Sequence, residues 1–212
     1  MFTGIVQGLG TVVAIERLVG LSRFSIELPM GTDKDLAIGA SVALNGVCMT
    51  VTQFDGNLVS FDAMEQTLAL TSLGGLNEGD RINVERSAKQ GDEVGGHIIS
   101  GHVDGVAEIV AVDVSENNQR VTYRLPEQAM IYLFDKGFIS LDGCSLTIAS
   151  IDKSQQTLTV GFIPETLRVT THGFRQPGDQ VNFEVDRQTQ AIVDTVKNLL
   201  KDHPELLQQH LS

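Results

Sequence analysis

The chain has 212 residues, 42% of them apolar and 20% charged, which is the composition of a globular protein and not of a disordered or fibrous one. Lys and Arg number 15 against 27 Asp and Glu; the net charge of −12, with no basic run, argues against nucleic acid or membrane surfaces as partners. Two cysteines, Cys48 and Cys144, are too few for a disulfide framework. With no signal-peptide pattern and no stretch of about 18 apolar residues, a soluble, cytoplasmic protein is expected.

In chain order, the first feature is self-similarity. Phe2-Thr3-Gly4-Ile5-Val6-Gln7-Gly8 resembles Ile99-Ser100-Gly101-His102-Val103-Asp104-Gly105, 97 positions later. At the same offset, Val42-Ala43-Leu44-Asn45-Gly46-Val47-Cys48-Met49-Thr50-Val51 resembles Ile139-Ser140-Leu141-Asp142-Gly143-Cys144-Ser145-Leu146-Thr147-Ile148. Gln66-Thr67-Leu68 then matches Glu165-Thr166-Leu167, and Gly79-Asp80 matches Gly178-Asp179, both 99 apart. The chain is therefore two copies of one fold and a tail. The expected units are 1–95, 96–186 and 187–212, divided by a Gly-rich, charged linker at 91–97.

Each copy has a period of two. Residues 41–45 and 57–62 alternate in the first half, and in the second Leu158, Val160 and Phe162 alternate with Thr157, Thr159 and Gly161. Turn signals such as Asp55-Gly56 and Pro177-Gly178 punctuate these runs. The pattern predicts an all-β protein with a small closed barrel or sandwich of about six strands in each half. Residues 126–134 predict a short helix behind Pro126. Residues 188–201 predict a helix with Asp186 as its N-cap and Pro204 beyond its end. Its stripe of Ile192, Val196, Leu199 and Leu200 packs either on its own barrel or in a bundle with symmetry mates.

Metal chemistry is not expected. His97 and His102 are five apart, on opposite faces if this stretch is a strand, and the chain has no CxxC or HExxH. Gly95-Gly96-His97 and Ser100-Gly101-His102 lack the residues of a phosphate loop. Cys48 and Ser145 are equivalent under the repeat, each behind an Asn-Gly or Asp-Gly turn, with Thr50 and Thr147 two residues on and on the same faces. A thiol and hydroxyls on one face suit a polar heterocycle. The copies differ at titratable residues: His102 stands opposite Ile5, and Lys136 opposite Gly39. One pocket is then equipped for chemistry that the other supports.

These motifs, together with Met1-Phe2-Thr3-Gly4-Ile5-Val6 and Ile163-Pro164-Glu165-Thr166, resemble the riboflavin synthase α-chain family over essentially the whole chain. The resemblance implies two six-stranded Greek-key barrels and a C-terminal helix, assembled as a homotrimer. It implies a transferase that needs no cofactor and dismutes two 6,7-dimethyl-8-ribityllumazine molecules. One gives a four-carbon unit to the other, yielding riboflavin and 5-amino-6-ribitylamino-uracil. The site would form between the N-barrel of one subunit and the C-barrel of a neighbour. By position, the N-barrel contacts would be Gly4, Ile5, Val6, Ser41, Cys48, Met49, Thr50, Asp62, Ala63, Met64, Glu65, Gln66 and Thr67. The C-barrel contacts would be Gly101, His102, Val103, Lys136, Ser145, Leu146, Thr147, Gly161, Phe162, Ile163, Pro164, Glu165 and Thr166, with Asp186 nearby. Cys48, His102, Ser145 and Lys136 are the expected catalytic residues, with their individual roles open; Cys144 is expected in the core. A lumazine synthase is a further partner to consider. The rival is a lumazine protein, which shares the fold but binds its ligand as a fluorophore without catalysis.

Overall fold

A computed structural model describes residues 1–205 of the chain; residues 206–212 of the expected tail lie outside the described residues. The first half holds β1 (Gly8–Leu18), β2 (Leu21–Glu27), β3 (Ser41–Leu44), β4 (Val47–Asp55), β5 (Leu58–Met64) and β6 (Arg81–Arg86). The second holds β7 (Gly105–Val114), β8 (Gln119–Arg124), β9 (Phe138–Leu141), β10 (Cys144–Asp152), β11 (Thr157–Phe162) and β12 (Gln180–Val185). Each set closes into an antiparallel barrel of the same order, β1-β2-β5-β4-β3-β6 and β7-β8-β11-β10-β9-β12. Local irregularities are duplicated too: the β1 bulge at Val12/Ala14 recurs in β7 at Ile109/Ala111, and that of β4 at Val51/Gln53 recurs in β10 at Ile148/Ser150. Such bulges bend a strand, as a small barrel requires.

Alternation decides what fills the interiors. Along β2, Ser22, Phe24 and Ile26 turn inward while Leu21, Arg23 and Ser25 are partly open. Two separate apolar cores result, one around Phe61 and one around Phe162 and Tyr123. Barrels of this size are packed solid by their own side chains, so a ligand has to use an outer face.

The barrels meet through reciprocal contacts. Phe2 and Ile99 pair by two backbone hydrogen bonds of 2.8 and 3.0 Å, and with Ala43 they form a small apolar joint. The two-residue turns Asn45-Gly46 and Asp142-Gly143 have φ of 45°, 80°, 44° and 82°, the left-handed conformation that tight hairpins demand. They abut back to back: a Cβ on Gly46 would lie 2.7 Å from the Gly143 nitrogen. The Asn83 and Asn182 amides each donate across the joint, to the Asp142 and Asn45 carbonyls, at 2.8 Å.

Short helices α1 (Glu65–Leu70) and α2 (Pro164–Val169) follow β5 and β11, and α3 (Arg187–Asp202) follows β12. The Asp186 carboxylate caps α3 by accepting from the amides of Gln188 and Thr189. The helix expected at 126–134 is a 3-10 segment, Glu127–Tyr132. The stretch from His97 to His102 is not a strand; only Ile99 pairs there, with Phe2. Among the described residues, no helix is long and apolar enough to cross a membrane, and no group of three His, Cys, Asp or Glu could hold a metal ion. α3 rests on its own barrel through one edge, where Tyr132 donates to Asp194 at 2.7 Å and Lys197 lies 5.3 Å from the Tyr132 ring centre. Its apolar stripe stays open, with Ile192 65% exposed and Val196 and Leu199 each 48% exposed.

Candidate functional site

Two chain segments, residues 2–6 and 99–103, act as crossing arms. The first is held at its own barrel by Glu85, whose carboxylate accepts from the Thr3 amide at 2.6 Å and the Gly4 amide at 3.1 Å. The second is held by Glu184, which accepts from the Ser100 amide at 2.7 Å and the Gly101 amide at 2.9 Å. Burial pushes the Glu85 carboxyl above the ordinary carboxylate range, against the pull of the Thr3 and Gly4 hydrogen bonds. Each arm then reaches the other barrel. The Cys48 amide donates to the Gly101 carbonyl, and the Ser145 amide to the Gly4 carbonyl, both at 2.9 Å. Val103 packs into the first core and Val6 against the second.

This corrects the expected partition of the site. Position in the repeat puts Gly4, Ile5 and Val6 with the first barrel, but Gly4 bonds to Ser145 and Val6 packs on the second core; Gly101 and Val103 of the second repeat meet the first barrel in the same way, while Ile5 and His102 between them are exposed. Sequence similarity assigns a segment to its repeat and carries no information about which barrel it covers. Glycine is required at both crossings: Gly4 has φ +77° and Gly101 φ +82°. A Cβ on Gly4 would lie 2.5 Å from the Ser145 Cβ, and one on Gly101 2.6 Å from the Cys48 Cβ.

The first barrel's candidate residues share one outward surface. Ser41 on β3 pairs with Thr50 on β4, and Ala43 with Cys48. Cys48 and Thr50 face out, while Met49 and Val51 fill the core. Asp62 on β5 is half-buried and takes a bidentate hydrogen bond from Arg23, at 2.8 and 3.1 Å. Met64, Glu65, Gln66 and Thr67 continue from the end of β5 into α1. His102 is exposed on the crossing arm, whose backbone Arg187 clasps. The Arg187 guanidinium donates to the His102 carbonyl and, at 2.9 Å, to Asp104. Arg187 is a residue that sequence reasoning missed; it reads there as an ordinary first residue of a helix.

The second barrel repeats the layout. Ser145 and Thr147 face out from β10 between buried Cys144, Leu146 and Ile148. Gly161 and Phe162 end β11, and Ile163, Pro164, Glu165 and Thr166 lead into α2, where Glu165 binds Arg168 at 2.6 Å. The side chains of Met49, Ala63, Leu146 and Phe162 belong to the cores, so these four have little besides backbone to offer a ligand. Cys144 is core as expected, and burial pushes its thiol up. Lys136 is exposed with φ +69°, where the first repeat has Gly39 at +86°. A lysine held in this conformation costs about 1–2 kcal/mol, which the glycine copy avoids.

Near Ser145 stands a second residue that sequence reasoning did not select. His97 Nδ1 lies 2.6 Å from Ser145 Oγ, and its ring stacks on Phe138 with centroids 5.1 Å apart. Burial lowers the His97 pKa from its ordinary value, with the negative charge of Asp186 acting against it. Burial also acts to raise the Asp186 carboxyl, but hydrogen bonds from Thr189 and Gln188 leave it below the ordinary range.

Both candidate surfaces are open rather than enclosed. Among the described residues, one hollow of about 570 Å³ runs from Met30 to Lys89, away from both surfaces, and one of about 370 Å³ lies between Thr3 and Glu93, along the first arm and lined in part by Ile5.

The chain matches the lumazine binding domain family twice, over residues 3–87 and 100–186. It is 46% identical to a riboflavin synthase of Escherichia coli (strain K12) over 210 residues, covering 99% of this chain and 98% of that one. It is 43% identical to a riboflavin synthase of Mycobacterium tuberculosis (strain H37Rv) over 189 residues, covering 88% and 93%. Among solved structures, LumP complexed with riboflavin superposes with a TM-score of 0.80 at 26% identity, over 88% of this chain and 100% of that one. LumP complexed with 6,7-dimethyl-8-(1'-D-ribityl) lumazine has the same TM-score at 24% identity and the same coverage, and shows the fold alone. With two barrels of one family and full-length relatives of one name, the chain belongs to the riboflavin synthase family.

Proposed function

We propose that this protein catalyses the dismutation of 6,7-dimethyl-8-ribityllumazine, passing four carbons from one molecule to another to give riboflavin and 5-amino-6-ribitylamino-uracil. The observation that carries this function is the full-length identity of 46% to a riboflavin synthase. In support, each barrel presents one nucleophilic side chain, Cys48 or Ser145, beside a crossing arm. The lumazine 7-methyl group is acidic because its anion delocalises into the ring, and an imidazole such as His102 or a hydroxyl-held water takes that proton. Carbon 7 of the acceptor is electrophilic, and the Cys48 thiol or the Ser145 hydroxyl assists there. Lys136 adds a cation at the rim of the second barrel. Stacking the two heterocycles face to face supplies a large share of the rate.

The openness of both surfaces favours a site closed by a second subunit, the first barrel of one chain facing the second barrel of another. A homotrimer joined by the open stripe of α3 supplies such a partner. Two unpaired cysteines fit a reducing compartment, the cytoplasm. Incubating the purified protein with the lumazine and following riboflavin formation by its absorbance tests the function: binding without turnover assigns it to a fluorophore carrier.

A further inference from the structure

The two histidines of one short segment serve different barrels. The arm carries His102 onto the first barrel, because Gly101 accepts the Cys48 amide hydrogen bond at 2.9 Å. Five residues earlier the chain has passed the second barrel, and His97 lies there, 2.6 Å from Ser145 Oγ. Gly96 permits this approach: a Cβ on it would lie 2.6 Å from the Ser145 Cβ and would collide with the Thr3 carbonyl oxygen. The imidazole is fixed on its flat side by Phe138, tilted only 16° from it. Phe138 pairs with Thr147, the place that Ser41 holds against Thr50 in the first barrel. The second barrel thus has an aromatic platform for a histidine where the first has a hydroxyl.

The direction of the hydrogen bond follows from the groups present. The Ser145 hydroxyl has one proton to donate, and among the described residues its side-chain partner is His97. The imidazole is buried in a place that disfavours its cation, and its neutral form has one ring nitrogen with a lone pair to offer. Asp186, whose charge reaches the ring, is the N-cap of α3 and accepts from Thr189 at 3.0 Å. The helix that carries the open apolar stripe therefore also sets the charge beside this histidine.

We infer that His97 is a positioning residue for Ser145: its Nδ1 accepts a hydrogen bond from the Ser145 hydroxyl and turns the oxygen lone pairs of Ser145 towards a ligand on the second barrel. The role of the ligand rests on the lumazine-binding function proposed above; the Ser145–His97 pair does not. No bond is made or broken in the protein. His102, exposed on the arm over the first barrel, has no such partner among the described residues, so the two imidazoles are not interchangeable.

Two measurements on the full chain decide this. Nitrogen NMR of the histidines at neutral pH reads the tautomer without any turnover. The expected result is an unprotonated His97 Nδ1 whose signal moves in Ser145→Ala; a protonated Nδ1, or a signal indifferent to Ser145→Ala, overturns the inference. The second is turnover of the lumazine. His97→Leu should lower kcat about a hundredfold with KM within about threefold. His97→Asn, whose side-chain oxygen reaches the Nδ1 position, should restore part of it. The double variant His97→Leu/Ser145→Ala should be no slower than Ser145→Ala alone. Losses that multiply in the double variant mean that the two residues act separately, and overturn it. A wild-type protein that does not turn over defeats the proposed function, while the NMR result still decides the hydrogen bond.

Discussion

The amide of Cys48 donates to the carbonyl of Gly101 at 2.9 Å, so the second half of the chain roofs the candidate surface of the first. Ser145 and Gly4 form the mirror contact at the same distance. Gly101→Ala and Gly4→Ala should therefore each damage the barrel on the far side of the joint. A non-glycine residue at such φ costs about 1–2 kcal/mol, and the collisions with Cys48 or Ser145 add to it. Titration with the lumazine, followed by fluorescence, should show Gly101→Ala weakening the site beside Cys48 and Gly4→Ala the site beside Ser145. Loss at the substituted residue's own barrel would contradict the crossing.

Cys48→Ala and His102→Ala should each lower turnover by one to several orders of magnitude, about the loss of one acid–base or nucleophilic group, with the barrels still folded. Arg187→Ala should lower it by a smaller factor, because Arg187 binds the backbone of His102 and not the reacting atoms. Circular dichroism checks the fold beside the rate. A folded double variant of Cys48 and His102 with near wild-type rates would reduce these residues to pocket lining.

The α3 stripe carries the prediction about assembly. Ile192, Val196 and Leu199 are at least 48% exposed in the single chain, and burying such side chains contributes about 1.5–3 kcal/mol each. Changing all three to Ser should leave the barrels intact and yield monomers in sedimentation, with activity that falls on dilution. Substitution is cleaner than truncation after Asp186, since Arg187 begins the helix and also clasps the second arm. Variants that remain trimeric, or monomers with full specific activity, would contradict this account of the helix.

Two buried groups at the barrel joint respond to pH in opposite senses. Burial raises the Asp142 pKa from 3.8 to about 6, opposed by Arg175 at 3.0 Å. A raised pKa means that folding favours the protonated acid. The stabilisation is present below the unfolded value near 3.8 and is lost as pH rises through about 6. Burial lowers the His172 pKa from 6.5 to about 4; its stabilisation is present above 6.5 and lost as pH falls through about 4. Between about 4 and 6 the two oppose each other. Urea titrations should show Asp142→Asn losing stability relative to wild type as pH falls through this window, and His172→Leu gaining it. Profiles parallel to wild type would show that neither group titrates on unfolding in this range.

The duplication, the strands, the α3 helix and its cap were legible because each leaves a local trace: an offset, a period, a capping residue. Leu158, Val160 and Phe162 point inward as their alternation predicts. The crossing arms left no such trace. Gly4 and Gly101 signal a positive φ, but not that Glu85 and Glu184, more than 80 positions away, hold those segments while their tips reach the other barrel. His97 was visible as a residue, yet its partner Ser145 is 48 positions on, and only the fold joins them. Helices α1 and α2 escaped notice because six residues hold less than two turns, too few for a periodic signal. Met49 and Leu146 fell on the site by sequence position, and strand alternation then put their side chains in the cores.

The central claim is catalysis, and the stoichiometry of turnover tests it most directly. Dialysed, chelator-treated protein, with no cofactor added, should consume two molecules of 6,7-dimethyl-8-ribityllumazine for each riboflavin formed and release one 5-amino-6-ribitylamino-uracil. Tight binding of the lumazine with no riboflavin produced, or activity that vanishes with chelator and returns with a metal ion, would contradict it.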